Sequence, residues 1–162
     1  MIRSKLMLIY WVLAVGPVVS VGQSMTMADE ASERRRPLPL LQMMADHQKR
    51  MMRDHLGAVQ EIVTALATDD FVAVQRAAAR LGFSEEVGRM CTRIGAASPA
   101  FTQQALAFHH TADGIAAAAR ERSRRRVLAE LSTTLKACRA CHSGWKQDIV
   151  DEPTWNRLTS HE

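Results

Sequence analysis

Along the middle of the chain, apolar residues recur at spacings of three and four, as in helices with one buried face. From Leu40 to Ala67, at about 100° per residue, Leu41, Ala45, Gln48, Met52, His55, Leu56, Val59, Val63 and Leu66 fall in one stripe. No proline interrupts it, and Gly57 is its weak position. This predicts a long first helix, A. Thr68-Asp69-Asp70 offers capping oxygens and negative charge to a short helix B. Its apolar positions are Phe71, Val74, Ala78 and Leu81, and Gly82 supplies the C-terminal cap. Ser84-Glu85-Glu86 can start one further short helix, with Val87, Met90, Cys91 and Ile94 on its apolar side before Gly95. Ser98-Pro99 is a start signal, a capping hydroxyl followed by proline at the first helical position. Helix C follows to about Arg122, with Phe101, Ala105, Phe108, Ala112, Ile115 and Ala119 on one face. Its alanines suit a close approach to a neighbouring helix or to a flat ligand. Ser123 caps helix D, whose stripe is Leu128, Leu131, Leu135, Cys138, His142 and Trp145. Pro153 ends the pattern, and residues 151–162 read as a tail.

Several amphipathic helices, no alternating strands and few aromatics predict an all-α fold, an antiparallel four-helix bundle over residues 40–150. Short A–B and C–D connections make those pairs antiparallel neighbours. Before the bundle, residues 23–39 hold charges, Ser, Met and two prolines without a period, and read as a tether, disordered or loosely packed. Arg34-Arg35-Arg36 within it reads as a solvated charge run.

Met1 to Gly22 has the form of a secretory signal peptide. Arg3 and Lys5 precede an apolar run from Leu6 to Val15, and the small residues Ser20 and Gly22 stand before a cut. The apolar run is short for a membrane span, which takes about 20 residues, so cleavage is expected over retention as an anchor. Export then places the mature protein in a bacterial periplasm, without stable membrane insertion. The formal charge of +4 includes Arg3 and Lys5 and no acid from that segment. The sequence pI of 9.3 therefore does not by itself argue for nucleic acid, and no aromatic–basic interleaving accompanies it.

The chemistry is concentrated in helix D. Cys138-Arg139-Ala140-Cys141-His142 reads C-x-x-C-H, the attachment motif of a c-type haem. Thiols three residues apart on one helical turn can reach two vinyl groups of one porphyrin. His142 then falls over the iron as proximal ligand. A thioredoxin-like dithiol would need a βαβ setting, and a zinc site a second ligand pair. Neither is visible, and the third cysteine, Cys91, stands alone. Cys91 reads as a buried free thiol, or as the donor of an intermolecular disulfide. The motif lies on the stripe that packs the bundle, so the cofactor is expected in the core.

Motif and layout together resemble the class II c-type cytochromes, the cytochrome c′ and cytochrome c-556 family. Cys138 to His142 followed by Ser143, Gly144, Trp145 and Lys146 is similar to that family's motif with its trailing aromatic and basic residues. Lys146 stands where arginine is more usual. Met51-Met52-Arg53-Asp54-His55-Leu56 resembles the segment of helix A that carries a ligand methionine in low-spin members. Phe108-His109-His110-Thr111-Ala112 lies where the family has a histidine-containing stretch of helix C.

The resemblance implies an exported electron-transfer protein with one haem c per chain. Cys138 and Cys141 would tether it, His142 would be proximal and Met52 distal, and single electrons would pass to redox protein partners without enzymatic conversion. The helix A stripe selects Met52 as well. His55, one turn on, is the competing ligand, or a hydrogen-bond donor to a propionate. The alternative is a five-coordinate, cytochrome c′-like centre that binds nitric oxide or carbon monoxide. Pairing through helices A and B, as a homodimer, is a further implication. Five arginines between Arg120 and Arg126 read as a solvated corner or as a docking site for an acidic partner.

Overall fold

The computed structural model describes residues 34–160. The expected leader, most of the tether and His161 lie outside these. In chain order the elements are β1 (Arg36–Leu40), α1 (Gln42–Ala67), α2 (Phe71–Ala79), α3 (Glu85–Ile94), α4 (Pro99–Arg120), α5 (Arg124–Gly144), β2 (Trp145–Ile149) and α6 (Glu152–Thr159). The chain is thus mostly helical, with one short pair of parallel strands that the hydrophobic pattern did not announce.

Local chemistry sets most helix starts. Asp70 Oδ1 accepts from the Ala73 amide at 2.9 Å, Ser84 Oγ from Val87 at 3.2 Å, and Ser123 Oγ from Arg126 at 3.4 Å. Ser98 makes no such bond, so the start of α4 rests on Pro99 in its first turn. After α2, a Cβ on Gly82 would collide with Asp113 Oδ1, the atom that accepts from the Phe83 amide at 2.9 Å.

Packing runs from α1 to α2, from α2 to α4, and from α4 to both α5 and α3. The main core is rich in alanine: Ala58, Ala77, Ala112, Ala118 and Ala119 are each no more than 2 % exposed, around Ile62, Val74 and Ile115. Of the α4 alanines, Ala112, Ala118 and Ala119 therefore serve close helix approach. The α1–α2 and α4–α5 corners lie side by side. Arg124 pairs with Asp69 at 2.6 Å, and the Arg122 guanidinium lies over the Phe71 ring. Both corners turn through left-handed backbone at Asp69 (φ 54°) and Arg122 (φ 52°).

Two stripes are rotated from expectation. Leu56 and Val63 are 69 % and 52 % exposed, while Ala58, Ile62, Ala65 and Leu66 are buried. On α5, Leu128 and Leu135 are 50 % and 40 % exposed, while Val127, Leu131 and Thr134 are buried. One sector per helix cannot describe these helices. Each meets a helix neighbour on one side and a cleft on another, and Leu56 and Leu135 both face that cleft.

The strands complete the frame. Part of the expected tether is β1, and helix D ends at Gly144 rather than near Pro153, which lies in the first turn of α6. Arg36 pairs in register with Trp145, and Leu38 with Gln147. Leu38 and Leu40 point inward, 2 % and 0 % exposed, onto Met44, Ile94, Phe101 and Trp145. Burial of each contributes about 1.5–3 kcal/mol. Pro37 and Pro39 occupy the alternate positions, whose backbone faces away from the partner strand, so their missing N–H groups cost no ladder bond. No helix among the described residues is long and apolar enough to cross a membrane.

Candidate haem cleft

A cleft of about 820 Å³ opens between α1 and α5, with α3 and α4 as its back wall. This lies within the range of about 300–1,000 Å³ found for ligand and cofactor sites. Residues widely spaced in sequence meet here: Met51, Met52, His55 and Leu56 from α1, with Cys138, Cys141 and His142 from α5. Phe108 and His109 from α4 and Met90 and Cys91 from α3 also line it.

The motif is held from its C-terminal side. Trp145, 8 % exposed, packs edge-on against Phe101 and donates from Nε1 to Gln104 Oε1 at 2.9 Å. Arg36 covers its other aspect, the guanidinium carbon 3.8 Å from the ring centroid. Gln147 Nε2 donates to Gln48 Oε1 at 2.6 Å and to the Ala45 carbonyl at 3.3 Å. The strand after the motif is therefore fastened to the first turns of the helix that bears Met52.

Cys138 and Cys141 are half-buried free thiols, and Cys91 is buried. Burial pushes all three thiols up from their ordinary pKa; proximity of Cys138 raises Cys141 further, and Arg36 partly offsets this. They stand as protonated thiols at neutral pH. His142 is exposed at the cleft edge, and Met52 is half-buried in the facing wall. Cys91, expected as a bland core thiol, faces the same cleft as the motif.

Two further histidines meet in the cleft. His55 and His109 have ring centroids 5.5 Å apart in an edge-on arrangement, with Phe108 beside both. Burial, and then the neighbouring His109, push the His55 pKa down to about 4. His109 is 3 % exposed, and burial lowers its pKa against the opposing pull of the Leu81 carbonyl. Its Nδ1 lies 2.7 Å from that carbonyl oxygen, which can only accept. Nδ1 therefore carries the proton and Nε2 keeps the lone pair. His110 stands outside, stacked on Phe83 and 3.7 Å from Asp113.

Arg35, Lys49, Arg53 and Lys146 also line the cleft, and among the described residues no aspartate or glutamate does. The sequence reading missed this because the four come from separate stretches of chain, and missed Arg36 because its role depends on β1. The pattern Arg-Pro-Leu-Pro-Leu does alternate with period two, but its prolines argue against an ordinary strand.

The donor set fits a haem. Apolar walls, two thiols one turn apart, an imidazole and a rim of cations match a flat apolar macrocycle bearing two carboxylates. Among the described residues no group of three or more His, Cys, Asp or Glu side chains is placed to hold a bare metal ion. A porphyrin asks the protein for only one or two axial donors. No family model, no curated protein and no solved structure matches the chain.

Proposed function

We propose that this protein is an exported c-type cytochrome of the class II kind, carrying single electrons on one haem held through Cys138 and Cys141. His142 would serve as its proximal ligand and Met52 as its distal one. The observation that most supports this reading is the shared cleft, in which the C-x-x-C-H residues of α5 and Met52 of α1 line one cavity of haem-sized volume. We infer further that α1, α2, α4 and α5 form an antiparallel four-helix bundle. In support, the Arg124–Asp69 pair joins the α1–α2 and α4–α5 corners at one end, as up-and-down connectivity requires.

When bound, the haem supplies a one-electron ferric–ferrous couple. The protein's part is positional and electrostatic. Cys138 and Cys141 form the tethers, and the Trp145 clamp keeps the end of α5 in place. Met51, Leu56, Val59 and Phe108 exclude water from the ring, which favours the less charged, reduced state. Lys49, Arg53 and Lys146 neutralise the propionates as charges at the cleft edge. A thioether from Met52 raises the potential relative to a second imidazole.

Co-expression with a haem-maturation system tests the core of this reading. After denaturation and extraction with acidic solvent, the colour should stay with the polypeptide; colour that leaves with the solvent refutes covalent attachment. The ferric holoprotein should be low-spin, with a methionine-to-iron charge-transfer band in the near infrared. A high-spin ferric spectrum together with fast carbon monoxide binding after reduction would select the five-coordinate, gas-binding alternative.

A further inference from the structure

Among the described residues, the charged side chains lining the cleft all have one sign. Arg35, Lys49, Arg53 and Lys146 contribute to its walls, without a carboxylate among the described lining residues. Lys49 and Arg53 are four apart on α1, so two like charges share one helix face, which is destabilising unless an anion meets them. Asp46 reaches Lys49 only through an exposed contact of 3.7 Å. Asp54, the carboxylate next to Arg53, is taken by Arg80 at 2.5 Å. Arg50 and Arg139 are exposed beside the same cleft-lining turns.

The most basic stretch of the sequence is engaged elsewhere. Of the arginines at the α4–α5 corner, Arg122 lies over Phe71, Arg124 pairs with Asp69, and Arg126 pairs with Glu121. Arg124 and Cys138 are also separated by about 21 Å of helix axis. Electron tunnelling falls exponentially with distance, so a partner docked at the corner would be too far from the cleft to exchange electrons quickly.

We infer that the cationic rim of the cleft is the docking face for an acidic protein redox partner, whose carboxylates surround its own redox group. This rests on the reading that the cleft holds a haem. Two propionates would offset part of the charge, and Lys49 and Arg53 with Arg50 and Arg139 exceed them. One electron crosses between the two centres, and no bond is made or broken. Complementary charge at the exchange point raises the encounter rate at low salt and orients the partner.

Two charge-matched variants test this: K49Q/R53Q at the rim, and R120Q/R125Q at the corner. Oxidation of the reduced holoprotein by anionic hexacyanoferrate(III) should slow as salt rises, and oxidation by cationic tris(phenanthroline)cobalt(III) should quicken. The rim variant should lose on the order of tenfold in the hexacyanoferrate rate at low salt, against little change for the corner variant. Equal effects of the two variants would mean that only net charge matters and would overturn the proposal. A second measurement needs no haem: binding of a deca-glutamate peptide, by fluorescence anisotropy at low salt. The rim variant should bind about tenfold more weakly than wild type or the corner variant, and equal binding by all three would again overturn it. Should covalent haem attachment itself fail, the function reading falls and the partner's redox role with it, while the peptide result still decides whether the rim binds an acidic chain.

Discussion

The guanidinium of Arg36 lies 3.8 Å from the ring centroid of Trp145, and the two residues are also register partners across β1 and β2. The segment entering α1 and the segment leaving the C-x-x-C-H helix are thereby closed against each other. That closure fixes the separation of the two cleft walls at the end where Cys141, His142 and Met52 stand. It also turns a residue from an apparently solvated arginine run into part of the site's support.

Arg36→Ala should therefore lower stability by about 0.5–1 kcal/mol, the usual size of a cation–π contact at an exposed site. Trp145→Ala removes a buried indole together with its bond to Gln104, and should cost about 3–5 kcal/mol. Urea unfolding of the two apoproteins checks both. Equal losses would show that the ring's burial is not what holds the strand pair.

Cys138→Ala and Cys141→Ala should each leave one thioether, with a shifted reduced-haem absorption band. The double variant should release all colour under denaturing conditions. Pyridine haemochrome spectra distinguish the three cases. Cys91→Ser should leave covalent haem content unchanged, since its thiol lies on α3 and outside the motif.

Met52→Ala should abolish the near-infrared charge-transfer band, turn the ferric protein high-spin and speed carbon monoxide binding after reduction. Met51→Ala, one position round the same helix, should keep the band. If instead the Met51 variant loses it, the ligand has been assigned one residue too late.

The apoprotein should lose stability in mild acid. His55 has a pKa near 4 in the folded chain, below the ordinary 6.5, so the fold prefers its neutral form. That contribution is complete above about pH 6.5 and is lost as pH falls from 6.5 through 4. Burial of His109 acts in the same direction. Urea midpoints measured from pH 7.5 to 4.5 should fall in wild type and fall less in His55→Leu. The paired carboxylate Asp54, with its pKa lowered mainly by its bond to Arg80, makes its own loss below that window.

The helices and their caps at Asp70, Ser84 and Ser123 were legible in the sequence because they depend on neighbours within a few residues. So was the placing of Cys138, Cys141 and His142 on adjoining turns of one helix. The faces of α1 and α5 were read less well. Leu56 and Leu135 follow the helical period, yet they border a cleft, and a period reports that a face is apolar without saying what meets it.

By itself the sequence determined the helical character of the chain, the limits of most helices and the candidate ligand set, because these arise from short-range geometry. Only the tertiary structure decided that Arg36–Leu40 is a strand, that Trp145 is clamped by Arg36 and Gln104, and that Cys91, His55 and His109 share the cleft with the motif. Parallel pairing joins segments at opposite ends of the folded region, and its hydrogen bonds run between backbones, which leaves almost no signature in either segment read alone.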